Sequence, residues 1–236
     1  MKIFAKIRFY WGAFIISFIV AVIMIPMITL FPKYKGSIMH NLNRAIFFLM
    51  GGKLLQIGSA DPQADMIVMN HQGIADIIGM EALQSSHLRW IAKKELFDTP
   101  WFGYLLKNSD MISIDRENKA GLKKLLRDVQ ESVEVKHRTV ALFPEGTRAK
   151  GQELLSFKSG TKFISNKLGL KVQPVVITGS KHLLNEHDRT GHNSTVKFIY
   201  LPTIDIQKAP DDWYDEMRQS MQKIVDDELV NHSRSR

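Results

Sequence analysis

The stretch MIVMNHQGIAD, residues 66–76, places an apolar and partly β-branched run directly before a polar turn. A short apolar run bounded by a turn signal is typical of a buried strand in a parallel sheet. Asn70 and Gly73 favour a turn after this strand, and Asn70 also suits the cap of a following helix. The stretch therefore predicts a strand, a turn and a helix, with His71 and Asp76 close to the turn.

Outward from this stretch, short apolar runs alternate with helical patterns. The runs predicted as strands are MIVM (66–69), LRWIA (88–92), MISI (111–114), TVALF (139–143), VQPVVI (172–177) and VKFIYL (196–201). Apolar residues recur at helical spacing in residues 118–135, 160–168 and 209–230. This alternation predicts an α/β fold with a mostly parallel central sheet flanked by helices.

The N-terminal part of the chain has a different composition. Residues 9–32 carry no charge, and as a helix they would extend about 36 Å, against a hydrocarbon core of about 30 Å. A cleaved signal peptide is disfavoured because no small-x-small site follows. A spanning helix, an element bent at Pro26 that enters one leaflet, and a buried core helix all fit. We therefore predict a membrane-associating helical element over residues 1–58 and an α/β domain over residues 59–236.

Composition excludes several kinds of site. The chain has 236 residues, no cysteine and a formal net charge of +8. The absence of cysteine excludes disulfides, thiolate metal sites and a cysteine nucleophile. No G-x-S-x-G or H-E-x-x-H motif occurs, and the histidines do not cluster, so we expect no bound metal. The positive charge favours anionic partners, although a mildly basic balance is also common among intracellular proteins.

Three polar clusters follow predicted strands. They are residues 70–76, the pair Asp115–Arg116, and PEGTR at residues 144–148. Ligands of open α/β sheets gather at the carboxyl ends of the strands, so these clusters are expected to face one crevice. There Asp76 can hold one imidazole nitrogen of His71 and leave the other free as a general base. A lone histidine–aspartate pair is, however, more often structural than catalytic.

Two arginines in these clusters suit a phosphate group. The guanidinium groups of Arg116 and Arg148 offer several donors in a planar fork, although each has an acidic neighbour, Asp115 or Glu145. Combined with the apolar N-terminus and a basic histidine, they indicate a phosphate-bearing lipid. Glu145 is expected to accept a hydrogen bond from a substrate hydroxyl or to orient Arg148, and Gly146 to let the backbone approach a ligand.

Together these motifs resemble those of the glycerolipid acyltransferases. NHQGIAD is similar to the family's N-H-x4-D motif, and FPEGTR (143–148) to its third motif. ISIDR and QPVVI resemble the second and fourth motifs, and the order fits over about residues 60–180. IAKKEL, which contains Lys94, resembles the 1-acylglycerol-3-phosphate acyltransferase branch, and the short chain with its apolar start resembles the bacterial members.

The resemblance implies transfer of a fatty acyl group from acyl-CoA or acyl carrier protein to the sn-2 hydroxyl of lysophosphatidic acid, which gives phosphatidic acid. It implies that His71 is the general base and that Asp76 orients it. Within that assignment Arg116 and Arg148 hold the phosphate. The substrate-binding residues that it implies are Lys94, Arg116, Glu145, Gly146, Thr147 and Arg148.

The expected partners are lysophosphatidic acid, the acyl thioester and a phospholipid membrane, with no nucleic acid and no cofactor beyond the acyl donor. The expected location is the inner membrane, with the catalytic domain on its cytoplasmic side. Three alternatives stay open. They are the same chemistry on another lysophospholipid or on glycerol 3-phosphate, a lipid hydrolase in which His71 activates water, and a non-catalytic lipid-binding protein.

Overall fold

The computed structural model describes residues 2–84, 86–115, 119–151 and 153–234. Its α-helices are α1 (Lys2–Phe18), α2 (Ile25–Leu30), α3 (Lys35–Leu49), α4 (Ile74–Leu83), α5 (Phe102–Asn108), α6 (Lys119–Gln130), α7 (Ser159–Leu168), α8 (Ser180–Leu183) and α9 (Trp213–Arg234). Its strands are β1 (Gly52–Ile57), β2 (Met66–Met69), β3 (Arg89–Lys93), β4 (Ile112–Ile114), β5 (Val140–Leu142), β6 (Lys171–Thr178), β7 (Leu184–Asn185), β8 (Thr190–Gly191), β9 (Ser194–Tyr200) and β10 (Ile204–Asp205). Ile19–Met24 and Glu131–Val135 are π-helical, and Pro32–Tyr34 and Lys94–Asp98 are 3₁₀-helical.

The central sheet has the strand order β1-β9-β6-β2-β5-β3-β4, with β10 beside β6. The five strands from β6 to β4 run parallel to one another. β9 runs antiparallel to β6, and β1 runs parallel to β9. The predicted α/β fold with a mostly parallel sheet is therefore confirmed, and each of the six predicted strands is present.

The two faces of the sheet carry separate apolar cores. Ile67, Met69 and Trp90 point to one face, where the N-terminal helices and α4 cover them. Met66 and Val68 point to the other face, which α6, α7 and α9 cover. Successive side chains of a strand alternate between faces, so a strand covered on both sides needs apolar residues throughout. This explains the unbroken apolar run of MIVM.

The N-terminal helical segment becomes irregular close to Pro26. α1 passes into the π-helical turn Ile19–Met24 before α2 begins at Ile25. Proline has no N–H to donate, and its ring clashes with the carbonyl group one turn earlier. A wider π turn relieves that clash while the chain stays helical. The interruption predicted at Pro26 thus takes the form of a changed helical winding.

α1 has apolar residues on its inner and its outer side. Ile15 is buried in the core, whereas Trp11 and Phe14 are 53% and 57% exposed. The large exposed apolar residues of this segment include Ile3, Phe4, Ile7, Tyr10, Trp11, Phe14, Phe18 and Val22. Within the described residues, Lys2–Leu30 is the helical segment long and apolar enough to cross a membrane. The segment therefore belongs to the core and also presents an apolar surface with which a membrane could associate.

β1 lies within residues 1–58, which the sequence analysis assigns to a helical element. Gly52–Ile57 instead pair in register with β9, from Gly52 opposite Ser194 onward. The apolar residues before Gly51 and Gly52 and those after them are similarly hydrophobic. The sequence pattern therefore does not show where the helix ends and the strand begins. Pairing with a strand far along the chain decides the structure of these residues. The division into two domains at residue 58 stays a prediction.

Candidate active site

His71 and Asp76 meet at the carboxyl end of β2. Asp76 Oδ2 accepts hydrogen bonds from His71 Nδ1 at 2.9 Å, from Gln72 N at 2.6 Å and from Gly73 N at 2.9 Å. The contact over five residues forms because residues 71–73 make a turn and Asp76 lies in the first turn of α4. The contact predicted between these two side chains is thus present.

The environment of this pair leaves one imidazole nitrogen available. The Asp76 side chain is fully buried, and the His71 side chain is 11% exposed. A carboxylate in the first turn of a helix is favoured by the helix dipole and by the N–H groups around it. Because Nδ1 donates to Asp76, Nε2 of His71 is left as the acceptor. Within the described residues no hydrogen-bond partner is found for Nε2.

The imidazole ring also lies against an aromatic side chain. Its centroid is 3.8 Å from that of Phe143, and the two planes differ by 10°. Phe143 in turn stacks on Trp90, with centroids 5.4 Å apart. Trp90 Nε1 donates to Glu81 Oε1 at 2.6 Å, and burial raises the pKa of Glu81 to about 7. Sequence analysis did not single out Trp90 or Glu81, and it quoted Phe143 only as the first residue of FPEGTR.

FPEGTR forms the turn that follows β5. Gly146 N donates to Phe143 O at 3.1 Å, which closes the turn. Pro144 and Gly146 occupy its second and fourth positions, where these residue types are favoured in type I turns. Gly146 has φ = 69°, in the left-handed region that favours glycine. Its role in the structure is therefore to shape this turn, and its predicted approach to a ligand stays a prediction.

Glu145 is buried inside the same turn. Its Oε1 accepts a hydrogen bond from His71 N and its Oε2 one from Leu155 N, both at 2.8 Å. Burial raises the pKa of Glu145, and the two backbone hydrogen bonds partly oppose that rise. The carboxylate thus joins the motif to the backbone of His71. The structure shows these two partners rather than the contact with Arg148 that the sequence suggested, and the predicted substrate contact stays a prediction.

Arg148 instead forms an ion pair with Glu186, through its Nη1 and the Glu186 Oε2. The other carboxylate oxygen of Glu186, Oε1, accepts a hydrogen bond from Ile74 N at 2.7 Å. Glu186 therefore connects the arginine of FPEGTR to the N-terminus of α4. Sequence analysis missed Glu186, because it lies between the short strands β7 and β8 and no motif marks it.

Two other predicted substrate-binding residues, Lys94 and Thr147, lie after the neighbouring strands β3 and β5. Lys94 begins the 3₁₀ segment after β3, and its Nζ is 3.5 Å from Asp115 Oδ2. Its side chain is 62% exposed. Thr147 is exposed next to Arg148. Arg116 lies outside the described residues, so its contact with a phosphate stays a prediction.

Known proteins are similar to this chain in sequence. A sequence model of the family described as Acyltransferase matches residues 61–178. The 1-acyl-sn-glycerol-3-phosphate acyltransferase of Helicobacter pylori is 40% identical over 178 residues, which is 75% of this chain and 75% of that protein. The enzyme of the same name from Escherichia coli is 25% identical over 201 residues, 84% of this chain and 81% of that protein.

A solved structure has a similar fold. The crystal structure of the 1-acyl-sn-glycerophosphate (LPA) acyltransferase from Thermotoga maritima superposes with a TM-score of 0.77 at 22% identity. The likeness covers 100% of this chain and 99% of that chain. The N-terminal helices and the α/β domain thus occur together in another protein.

Proposed function

Because the chain belongs to the acyltransferase family, we propose that it transfers a fatty acyl group from an acyl thioester to the sn-2 hydroxyl of 1-acylglycerol 3-phosphate. The products are phosphatidic acid and a free thiol. The observation that carries this proposal is the hydrogen bond from His71 Nδ1 to Asp76 Oδ2, 2.9 Å long, which leaves Nε2 as an acceptor.

In this proposal His71 acts as the general base. Nε2 takes the proton of the sn-2 hydroxyl while that oxygen attacks the thioester carbonyl carbon. The tetrahedral intermediate then collapses, the carbon–sulfur bond breaks, and the imidazolium returns the proton to the departing sulfur. Asp76 holds the required tautomer and stabilises the imidazolium that forms between the two steps.

The acyl group passes directly from sulfur to oxygen in this scheme. The chain has no cysteine, and the hydrogen bonds that His71 donates in the described structure go to Asp76 and Glu145 rather than to a serine or threonine hydroxyl. A base histidine without an adjacent nucleophile is suited to activate a hydroxyl of the substrate itself. Acyl-CoA and acyl carrier protein both satisfy this chemistry as donors.

Arg148 is proposed to bind the phosphate of the acceptor. Its side chain is 40% exposed, and through Glu186 it is joined to the turn that carries His71. A phosphate attached next to the reacting hydroxyl has to bind near the base, and a guanidinium group at this point supplies matched donors. Lys94 and Arg116 are proposed as further contacts with the same phosphate.

The outer apolar face of α1 is proposed to rest in the membrane that holds the acceptor lipid. A site at the bilayer surface avoids moving an acyl chain through water. The basic residues Lys2, Lys6 and Arg8 at the start of α1 would favour anionic lipid. We place the protein at the inner membrane, with the α/β domain on the cytoplasmic side.

Release of thiol from an acyl thioester, measured with and without lysophosphatidic acid, tests this function. Wild-type protein should release thiol only when acceptor is present, and His71→Ala should abolish the release because the base is gone. His137→Ala is the matched control, since His137 is exposed and precedes β5, near the amino end of the strand whose carboxyl end carries FPEGTR. It should keep wild-type activity.

Other outcomes of the same assay identify other functions. Thiol release without acceptor would indicate a hydrolase. Acceptor-dependent release with glycerol 3-phosphate or a lysolipid that lacks a phosphomonoester, in preference to lysophosphatidic acid, would change the acceptor. Activity that survives in His71→Ala would remove the base from the proposal.

A further inference from the structure

The hydrogen bond to Asp76 holds His71 at one ring atom but does not fix the plane of the ring. A single hydrogen bond restrains the distance and direction at Nδ1 and leaves the imidazole able to tilt about that contact. A general base must point its free nitrogen at a hydroxyl within hydrogen-bond reach. A second restraint on the ring is therefore needed for efficient proton transfer.

Phe143 lies where such a restraint would act. Its ring faces the imidazole of His71 at a centroid distance of 3.8 Å, with 10° between the planes. Contact over the whole ring face prevents the imidazole from tilting toward Phe143. The same face carries the negative side of the aromatic quadrupole, which attracts a cation placed over it.

A second aromatic side chain, that of Trp90, packs against Phe143. The ring of Trp90 stacks on that of Phe143 with centroids 5.4 Å apart, and this indole is 5% exposed. Trp90 Nε1 donates to Glu81 Oε1 at 2.6 Å, and Glu81 is 3% exposed. His71, Phe143 and Trp90 come from the neighbouring strands β2, β5 and β3 in that order, so the spacing of the sheet stacks the three rings.

The column ends on the helix that carries Asp76. Glu81 and Asp76 both belong to α4. α4 therefore contacts the histidine at Nδ1 through Asp76, and it supports the ring face through Glu81, Trp90 and Phe143. Two independent restraints from one rigid helix define both the direction and the plane of the imidazole.

We propose that Phe143 is a positioning residue for His71, and that Trp90 and Glu81 keep Phe143 in place. The proposal rests on the proposed role of His71 as general base. Phe143 keeps Nε2 aimed at the acceptor hydroxyl, and its ring stabilises the imidazolium that exists after proton transfer. The carboxylates of Asp76, which accepts from His71 Nδ1, and of Glu145, which accepts from His71 N, also favour this cation. Arg148 is ion-paired with Glu186.

Two replacements of Phe143 test the effect of the aromatic ring separately from the effect of the side-chain volume. Phe143→Leu keeps an apolar side chain and removes the π face, so kcat should fall about tenfold or more while KM for the acceptor changes less than about twofold. The acid limb of the kcat–pH profile should move to lower pH, because the imidazolium loses a stabilising contact. Phe143→Tyr restores a ring and should restore both kcat and the profile.

Phe157→Leu is the matched control. Phe157 is also a partly buried phenylalanine in contact with another ring, that of Tyr214 at 5.6 Å, but it packs against the core on the opposite face of the sheet. Its replacement should lower the thermal midpoint without moving the acid limb of the profile. Equal losses of activity in Phe157→Leu and Phe143→Leu would overturn the positioning role.

A titration of ¹⁵N-histidine-labelled protein in detergent micelles tests the same contact without any acyl substrate. The midpoint of the His71 titration should lie at lower pH in Phe143→Leu than in wild type, and Phe143→Tyr should match wild type. Unchanged kcat and midpoint in Phe143→Leu would overturn the proposal. If the midpoint shifts but wild type transfers no acyl group, the contact with the histidine stands and the proposed function fails.

Discussion

At the scale of single residues, Asp76 combines two tasks in one buried carboxylate. Oδ2 accepts hydrogen bonds from the imidazole of His71 and from two backbone N–H groups. The same atom therefore orients the base and closes the turn on which the base lies. Oδ1 is buried and has no hydrogen-bond partner in the described structure. A buried charge is tolerated here because several donors and the helix N-terminus surround it.

Asp76→Asn tests whether this charge is needed for catalysis. The amide is isosteric but cannot stabilise an imidazolium, and it favours the wrong tautomer, so kcat should fall by roughly ten-thousandfold with little change in KM. Steady-state kinetics measure kcat and KM, and a thermal melt shows whether the variant is still folded. Asp65→Asn is the control, since Asp65 also accepts a backbone N–H, that of Lys171, but at the amino ends of β2 and β6, away from the site. A similar loss in both variants would point to folding rather than to chemistry.

The ion pair of Arg148 with Glu186 predicts opposite effects for its two members. Arg148→Ala should raise KM for lysophosphatidic acid roughly 10- to 100-fold, the usual worth of hydrogen bonds to a charged group. Glu186→Gln keeps an acceptor for Ile74 N and removes a negative charge near the phosphate, so KM should fall about two- to fivefold. Initial rates over a range of acceptor concentrations measure both, with Arg127→Ala on α6, where the arginine side chain is 76% exposed, as control. An increase of KM in Glu186→Gln would mean that the carboxylate holds Arg148 in its binding position.

At the scale of elements, two segments near the site each contact two other parts of the fold. The turn after β5 brings Glu145 to the backbone of His71 and Arg148 to Glu186. The hairpin of β7 and β8 carries Glu186 and also packs against α1, since Gly191 lies against the backbone of Arg8 and Phe9. The proposed membrane-facing helix and the proposed phosphate site are thus two contacts of one hairpin.

The outer face of α1 predicts how the protein binds to membranes. Trp11→Gln combined with Phe14→Gln should weaken binding to vesicles of anionic phospholipid by about 100-fold or more, because each buried aromatic side chain contributes about 1.5–3 kcal/mol. The thermal midpoint should hardly change, since both side chains are more than half exposed. Co-sedimentation with vesicles measures the binding. Val135→Gln, at a 70% exposed apolar residue outside the N-terminal segment, should bind like wild type.

At the scale of the whole molecule, the site lies where the two sides of the fold meet. The N-terminal helices and α4 cover one face of the sheet, and α6, α7 and α9 cover the other. The site lies at the carboxyl ends of the parallel strands, between these two helical layers, as is general for ligand sites of open α/β sheets. The same packing buries Glu81 on the inner side of α4, beside the indole of Trp90.

Burial of Glu81 predicts a dependence of stability on pH. Its pKa is raised from 4.5 to about 7, chiefly by burial, so the folded state holds a proton that the unfolded state releases. This contribution to the free energy of unfolding is present below pH 4.5 and is lost as pH rises toward 7. Glu81→Gln has no titratable group at this position and keeps an oxygen that can accept the hydrogen bond from Trp90 Nε1. Relative to wild type it should gain up to about 3 kcal/mol between pH 4.5 and 8, as chemical denaturation at both pH values would measure. An equal difference at both values would contradict the raised pKa.

The sequence by itself determined the parts of this protein that depend on neighbouring residues. Apolar runs and helical spacing located the six predicted strands and the principal helices of the α/β domain, because the period of side chains differs between the two structures. The spacing from His71 to Asp76 and the turn residues between them predicted their contact, which forms within one turn and the start of one helix.

Only the tertiary structure decided which distant segments meet. The strand order, the antiparallel direction of β9 and the strand structure of Gly52–Ile57 depend on pairings that no local pattern encodes. Arg148 and Glu186, 38 residues apart, meet because a hairpin folds back over the end of the sheet. Phe143 contacts His71, and Trp90 contacts Phe143, because β2, β5 and β3 are neighbours in the sheet but not in the chain. Side-chain types reveal which contacts are possible, and the packing of the whole chain selects among them.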